Sequence, residues 1–190
     1  MSPRLDLIVG CNGAGKSSLV EVILQPILPA SVFVNADLIA RSKWPDSPEQ
    51  HSYEAARIAA QTRDVLVDKK RSFIAETVFS HPSKLELIDR ANHNGFAVNT
   101  YIVMIPEDLA VARVASRVDA GGHAVPEAKI RERFHRLWPL TAEAITRSER
   151  SFVYDNSGTA MREVARFDAG SLVGTARWPT WTPKALTELR

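Results

Sequence analysis

The chain has 190 residues, 45% of them hydrophobic and 24% charged, which suits a single domain over 1–190 with a full core. Its formal net charge of +2 is too small to mark a nucleic-acid partner by bulk electrostatics. Cys11 is the lone cysteine and no apolar run approaches the ~20 residues of a membrane span, so an intrachain disulfide is excluded and a cytoplasmic, non-membrane protein is expected.

Leu5-Asp6-Leu7-Ile8-Val9 reads as a buried strand, and Gly10 to Ser17 follow it as G-C-N-G-A-G-K-S. This matches the G-x-x-x-x-G-K-[ST] phosphate loop, and Ser17 to Gln25 reads as the helix such a loop opens, ended by Pro26. The glycines let backbone N–H groups turn inward as an anion cradle, so the nucleotide contacts are assigned to Gly10, Asn12, Gly13, Ala14, Gly15, Lys16, Ser17 and Ser18. Lys16 is expected at the β- and γ-phosphates of ATP or GTP, and Ser17 is expected to give its hydroxyl to Mg²⁺. Cys11 reads either as a redox-sensitive site or as a small residue the loop tolerates.

Ser31 to Val34 reads as a second strand with Asn35-Ala36-Asp37 at its carboxyl end. A helix from about Pro48 to Lys70 follows, with Ser47 or Ser52 as its cap, then a short strand Phe73-Ile74-Ala75 that ends on Glu76-Thr77. The next helix carries Leu85, Ile88 and Ala91 and stops at Gly95, and Phe96 to Ile105 is a long fourth strand. Val111, Val114 and Val118 mark a helix from Pro106 to Gly121-Gly122; Ile130, Phe134 and Leu137 mark another that begins near Pro126. Phe152-Val153-Tyr154 is the fifth strand. The C-terminal extension, about 159–190, holds a candidate hairpin (164–167 and 172–173) and a Trp178/Trp181 tail that reads as a docking segment. This alternation predicts an α/β, three-layer fold: a mostly parallel five-stranded sheet, helices on both faces, and a helical lid around 113–136.

Ligands of open parallel sheets collect outside the carboxyl ends of the strands, where the phosphate loop, Asp37 and Glu76-Thr77 arrive from three strands. Such convergence suits phosphoryl transfer, in which the protein aligns nucleotide, metal and acceptor and supplies charge. Asp37 reads as the base for the acceptor hydroxyl or as a helix cap, and Glu76 as a candidate group of this site or an ordinary strand-end carboxylate. Arg113, Arg117, Arg131, Arg133 and Arg136 flank the Gly121-Gly122 loop. They form either a solvated basic face or a lid closing on a triphosphate, and His123 in that loop is placed to contact phosphate or substrate.

Several segments together resemble the zeta-toxin family of bacterial kinases: Gly10–Ser17, Val34-Asn35-Ala36-Asp37-x-x-x-Arg41, Ala75-Glu76-Thr77-Val78-Phe79-Ser80 and Val153-Tyr154-Asp155-Asn156-Ser157. The stretch Arg117-Val118-x-x-Gly121-Gly122-His123-x-Val125-Pro126 resembles the branch of that family found without an obvious partner. Zeta toxins are P-loop kinases that phosphorylate UDP-N-acetylglucosamine on its sugar, and their antitoxin is a small helical protein. The resemblance implies an ATP-dependent kinase with a hydroxyl acceptor, such as a UDP-sugar, and a small helical antitoxin as partner. It implies Asp37 as the acceptor-activating base, and Lys16, Arg117 and Arg131 or Arg133 as catalytic cations. Asn35, Asp37, Arg41, Glu76, Thr77, Ser80 and His123 become substrate contacts, and Asn156 a nucleotide contact.

Two other classes compete. Transport and repair ATPases share the loop, but their long apolar strand ending in paired acids and their Ser-Gly-Gly signature are missing from this sequence. A kinase for a nucleoside or nucleic-acid end is the third reading, and for nucleic acid the modest charge and the lack of an aromatic-basic groove motif argue against it.

Overall fold

The computed structural model describes residues 2–119 and 125–190, without the side chains of 117–119. Strand β1 (Arg4–Val9) is buried from Leu5 to Val9 on both faces, as a central parallel strand must be. Asp6 is fully buried there but satisfied: Arg4 grips its carboxylate through Nε at 2.8 Å and Nη2 at 2.6 Å, and the Tyr101 hydroxyl donates at 3.2 Å.

The helical stretch after the loop is less regular than expected. It passes from α1 (Lys16–Leu19) through a π-helical turn (Val20–Leu24) into α2 (Gln25–Ile27), so Pro26 does not end it. Pro26 falls at the start of α2, directly after the π-helical turn.

The remaining elements follow in order: β2 (Val32–Val34), α3 (Ala36–Lys43), α4 (Ser52–Asp68), β3 (Phe73–Thr77), α5 (Ser83–His93) and β4 (Ala97–Met104). Then come α6 (Glu107–Asp119), α7 (Glu127–Arg147), β5 (Arg150–Asp155), β6 (Arg162–Asp168), β7 (Ser171–Leu172) and α8 (Lys184–Thr187). Neither Ser47 nor Ser52 caps α4; His51 holds the N-cap position, and its side chain makes no bond to the first N–H groups of the helix. In α7 the predicted face is buried at Ile130, Phe134 and Leu137, and the helix continues past Pro139.

The sheet has seven strands in the order β2-β3-β1-β4-β5-β6-β7, not five. The first five are parallel; the hairpin joins them, because β6 returns antiparallel onto β5 and pairs the edge that would otherwise stand open. The two-residue β7 leaves a short final edge. Chain travel from β1 out to β2 and from β3 back across to β4 runs in opposite directions, so right-handed crossovers put α1 and α5 on opposite faces. The tail does dock: Arg177 N–H donates to the Val164 carbonyl at 2.7 Å, and Leu186 of α8 is fully buried where α8 packs on α7.

Candidate functional site at the carboxyl ends of the strands

The loop between β1 and α1 is held close to its neighbours by glycine. A Cβ at Gly10 would collide with the Val103 carbonyl oxygen, and Gly15 adopts φ +94° at the N-cap of α1, with the Asn156 amide packed where its Cβ would stand. Asn156 donates through Nδ2 to the Ala14 carbonyl at 2.8 Å, and Arg113 donates to the Asn156 carbonyl at 3.0 Å. The residue expected to touch nucleotide thus braces the back of the phosphate loop. Lys16 is 8% exposed; its Nζ donates to the Cys11 carbonyl at 3.0 Å and lies 3.9 Å from Glu76 Oε1. Cys11 is itself buried, and burial pushes its thiol up to about 11, which removes the thiolate that a redox-sensitive reading requires.

Sheet register assembles the next layer. β3 lies beside β1 with Ile8 opposite Glu76, and Val34 of β2 pairs with Ala75, so Asn35 and Glu76 emerge side by side. Glu76 Oε2 accepts from Ser17 Oγ at 3.0 Å and from Asn35 Nδ2 at 2.8 Å. A one-residue slip of β3 would turn Glu76 to the other face and dismantle this triad. Glu76, a substrate contact by the family resemblance, therefore stands against the phosphate loop, beside Ser17 and Lys16. Only one acid follows the three apolar residues of this strand, too little pattern to mark a carboxylate that pairs with the phosphate loop.

Asn35 is also the cap of α3, its Oδ1 accepting from the N–H groups of Asp37 at 2.7 Å and Leu38 at 3.2 Å. Both polar atoms of its amide are engaged within the protein, so its position serves Glu76 and α3. The cap alternative for Asp37 is thereby removed: Asp37 sits in the first turn of α3, exposed, its carboxylate without a partner among the described residues. It lines a cleft of about 750 Å³ together with Ser17, Ser18, Glu76, Thr77 and Ser80. Arg41, one turn further along α3, is exposed and does not line this cleft. Thr77 Oγ1 accepts from the Phe79 N–H at 3.2 Å, and Phe79 is held at φ +62° with its ring fully buried. A bulky residue in that region is strained by about 1–3 kcal/mol, which fixes the loop from Thr77 to Ser80 at the cleft wall.

The basic cluster divides. Arg113 and Arg133 line the cleft. Arg131 does not: its guanidinium donates to Glu127 and Asp108, both at 2.9 Å, and lies 3.3 Å from Glu107, so its pKa is raised by these hydrogen bonds. It ties the start of α7 to the start of α6, and Arg136 pairs with Glu132 at 3.4 Å. Arg117 lies on α6 with its side chain outside the described residues, and His123 lies outside them altogether. Three cations that the sequence had not singled out, Arg63 of α4, Lys84 of α5 and Lys129 of α7, also line the cleft.

A sequence model described as Zeta toxin matches residues 1–162. The chain belongs to the zeta toxin family. It is 28% identical over 126 residues to an uncharacterized protein of Haemophilus influenzae, a match covering 66% of this chain and 88% of that protein. Among solved structures it matches a chain of the AvrRxo1-ORF1:-ORF2 complex with ATP at TM-score 0.71 and 14% identity, covering 90% of this chain. The chain spans 60% of the length of that AvrRxo1 chain. It also matches a chain of the PezAT chromosomal toxin-antitoxin system of Streptococcus pneumoniae at TM-score 0.61 and 16% identity, over 84% of this chain and 72% of that one. At such identities the likeness shows the fold, which is the α/β P-loop kinase-like fold of the family. No helix among the described residues is long and apolar enough to cross a membrane.

Proposed function

We propose that this zeta toxin family member is an ATP- or GTP-dependent kinase that transfers the γ-phosphate to a hydroxyl of a small molecule. The supporting observation is that the phosphate loop, the Ser17–Glu76 pair and the uncommitted Asp37 carboxylate open onto one cleft. Lys16 and the loop N–H groups would hold the triphosphate, with Arg113 and Arg133, joined by Arg117, compensating charge at the transferring group. Among the described residues no cluster of three or more ligating side chains offers an all-protein metal cage. Ser17 and Glu76 supply hard oxygen donors from two elements, and one such carboxylate beside substrate phosphates is how Mg²⁺ is commonly held. When bound there, Mg²⁺ would neutralise developing phosphate charge. Asp37 faces the acceptor side and would take the proton of the attacking hydroxyl.

UDP-N-acetylglucosamine is the acceptor that the family resemblance suggests, and a small helical antitoxin is the partner it suggests. The PezAT neighbour, part of a toxin-antitoxin system, supports such a partner. The test is a panel of UDP-sugars, nucleosides and small alcohols incubated with Mg-ATP and scored by mass for gain of one phosphate. A nucleotide-dependent gain on a single acceptor class is expected; a panel that gains nothing while ATP is hydrolysed would favour the ATPase reading.

A further inference from the structure

The chain has four tryptophans, and two of them have ring partners: Trp44 stacks on His51 with centroids 4.4 Å apart, and Trp138 meets Phe134 edge-on at 5.3 Å. Trp178 and Trp181 differ. Both are half-buried, and among the described residues neither ring has an aromatic or cationic partner and neither indole N–H has an acceptor. Both line a second cavity, of about 550 Å³, where the C-terminal tail lies against the end of β5 and the start of β6. That volume falls within the ~300–1,000 Å³ of small-molecule sites. Arg177, which also lines it, and the two tryptophans lie beyond the residues 1–162 that the family model matches, so the aromatic wall belongs to the tail.

The cavity is formed in advance. Its turn is closed by Thr182, which donates to the Pro179 carbonyl through its N–H at 3.0 Å and its hydroxyl at 2.7 Å, and Arg177 is anchored by its backbone bond to Val164. Such fixing lowers the ordering cost of binding. Around the cavity Arg162 is answered by Asp155 at 3.0 Å and Glu163 by Arg166 at 2.9 Å, whereas the Arg177 guanidinium makes no hydrogen bond or ion pair among the described residues. One positive charge is therefore left over. Both the guanidinium and the indole N–H groups are donors without acceptor capacity, so the ligand must supply the acceptors. Indole suits a planar ring, and a guanidinium fork grips a carboxylate through two parallel bonds. The wall opposite the tail has a second connection. Asp155 and Ser157 line the cavity, and Asn156 between them donates to the Ala14 carbonyl and packs against Gly15.

We infer that this cavity is an effector site for a planar aromatic monocarboxylate, separate from the cleft at the phosphate loop, and that its occupancy is felt at that loop through Asp155, Asn156 and Ser157. A ligand seated against Asp155 and Ser157 holds the three residues in the arrangement that braces Ala14 and Gly15, so it tightens nucleotide binding, and nucleotide tightens its binding by the same factor. The binding claim is independent of the kinase reading; the coupling rests on nucleotide binding at the loop.

The test follows the four indole N–H resonances of isotope-labelled protein by NMR while naphthoate, its saturated non-planar counterpart decahydronaphthoate and uridine monophosphate are titrated in separate arms. Naphthoate is expected to move the Trp178 and Trp181 resonances saturably and to leave those of Trp44 and Trp138 in place. The other two probes should bind at least tenfold more weakly, and Arg177→Gln, an exchange at an exposed side chain, should weaken naphthoate at least tenfold. No saturable shift, equal movement of all four resonances, or undiminished binding by Arg177→Gln overturns the site. Equal binding of decahydronaphthoate overturns the planar-ring assignment, and tighter binding of uridine monophosphate overturns the carboxylate. Calorimetry with Mg²⁺ and a non-hydrolysable ATP analogue reads the coupling: saturating naphthoate should tighten the analogue about fivefold or more in the wild type and not in Arg177→Gln. Unchanged analogue affinity overturns the coupling, and weakened affinity would show two ligands competing for one place. Naphthoate bound by a protein that takes no analogue would remove the nucleotide reading and leave the site standing.

Discussion

At the residue scale the account turns on Asp37. Asn35, not Asp37, bonds the first N–H groups of α3, so the two side chains have separable jobs. Asp37→Asn should leave the melting temperature and ATP affinity unchanged while slowing transfer about 100-fold or more, the size of lost general-base help. Asn35→Ala should instead cost about 0.5–2 kcal/mol as a lost cap, and more if Glu76 also shifts. Thermal melts and single-turnover rates on the two variants check both, and full transfer by Asp37→Asn would return that carboxylate to ordinary surface. Asp37 was legible in the sequence because Asn35-Ala36-Asp37, with a polar residue at each end, follows an apolar strand. Which member of the triplet caps the helix was not, since Asn and Asp cap about equally well. Nor does any local signal say that Phe79 would sit at φ +62°, because burial of its ring overrides backbone preference there.

At the element scale the arginines of α7 carry the clearest lesson. Arg131 and Arg133 are indistinguishable as sequence: two arginines two apart on one helix, in a cluster that reads as a basic stripe. Two positions along a helix is about 200° of rotation, so they point to opposite sides. One meets the acids at the start of α6 and the other the cleft. Arg133→Ala is therefore expected to reduce turnover at least 100-fold, toward the ~10³–10⁵ range seen for arginines at a transferring phosphoryl group, with little change in melting temperature. Arg131→Ala should change turnover by only a few-fold, its ion pairs being exposed and individually weak. Equal losses in the two variants would show that the whole α6–α7 clasp, not one charge, sets the rate.

At the scale of the whole molecule, the alternation of apolar runs and helical periods made the parallel part of the sheet readable in advance. The antiparallel addition was not. Whether a C-terminal hairpin stands apart or extends the sheet depends on the turn after β5, and there Asp155 is decisive. Its carboxylate, 2% exposed, accepts from the Ser157 N–H at 2.8 Å and from Arg162 at 3.0 Å, which binds the end of β5 to the start of β6 and sets Asn156 against the phosphate loop. Burial pushes this carboxyl up, but the bonds from Ser157 and Arg162 outweigh it and hold its pKa below the ordinary value. A depressed folded pKa stabilises the protein above the ordinary aspartate range near ~3.9, and that contribution is lost as pH falls through the lowered value. The melting-temperature gap between wild type and Asp155→Asn should thus be full at neutral pH and shrink below about pH 4. A gap independent of pH would mean the carboxylate's charge is not what fastens β6 to β5.

All three scales meet in one claim, that this fold moves a γ-phosphate onto an organic hydroxyl and does not merely release it. The most direct measurement follows ATP labelled with heavy oxygen in its γ-phosphate, incubated with the protein, Mg²⁺ and the acceptor panel, and locates the label by mass spectrometry. The predicted result is label in an organic phosphate ester formed by the wild type and absent with Lys16→Ala, whose loss removes the buried cation at the phosphate loop. Label appearing solely as inorganic phosphate, at a rate indifferent to every acceptor, would contradict it.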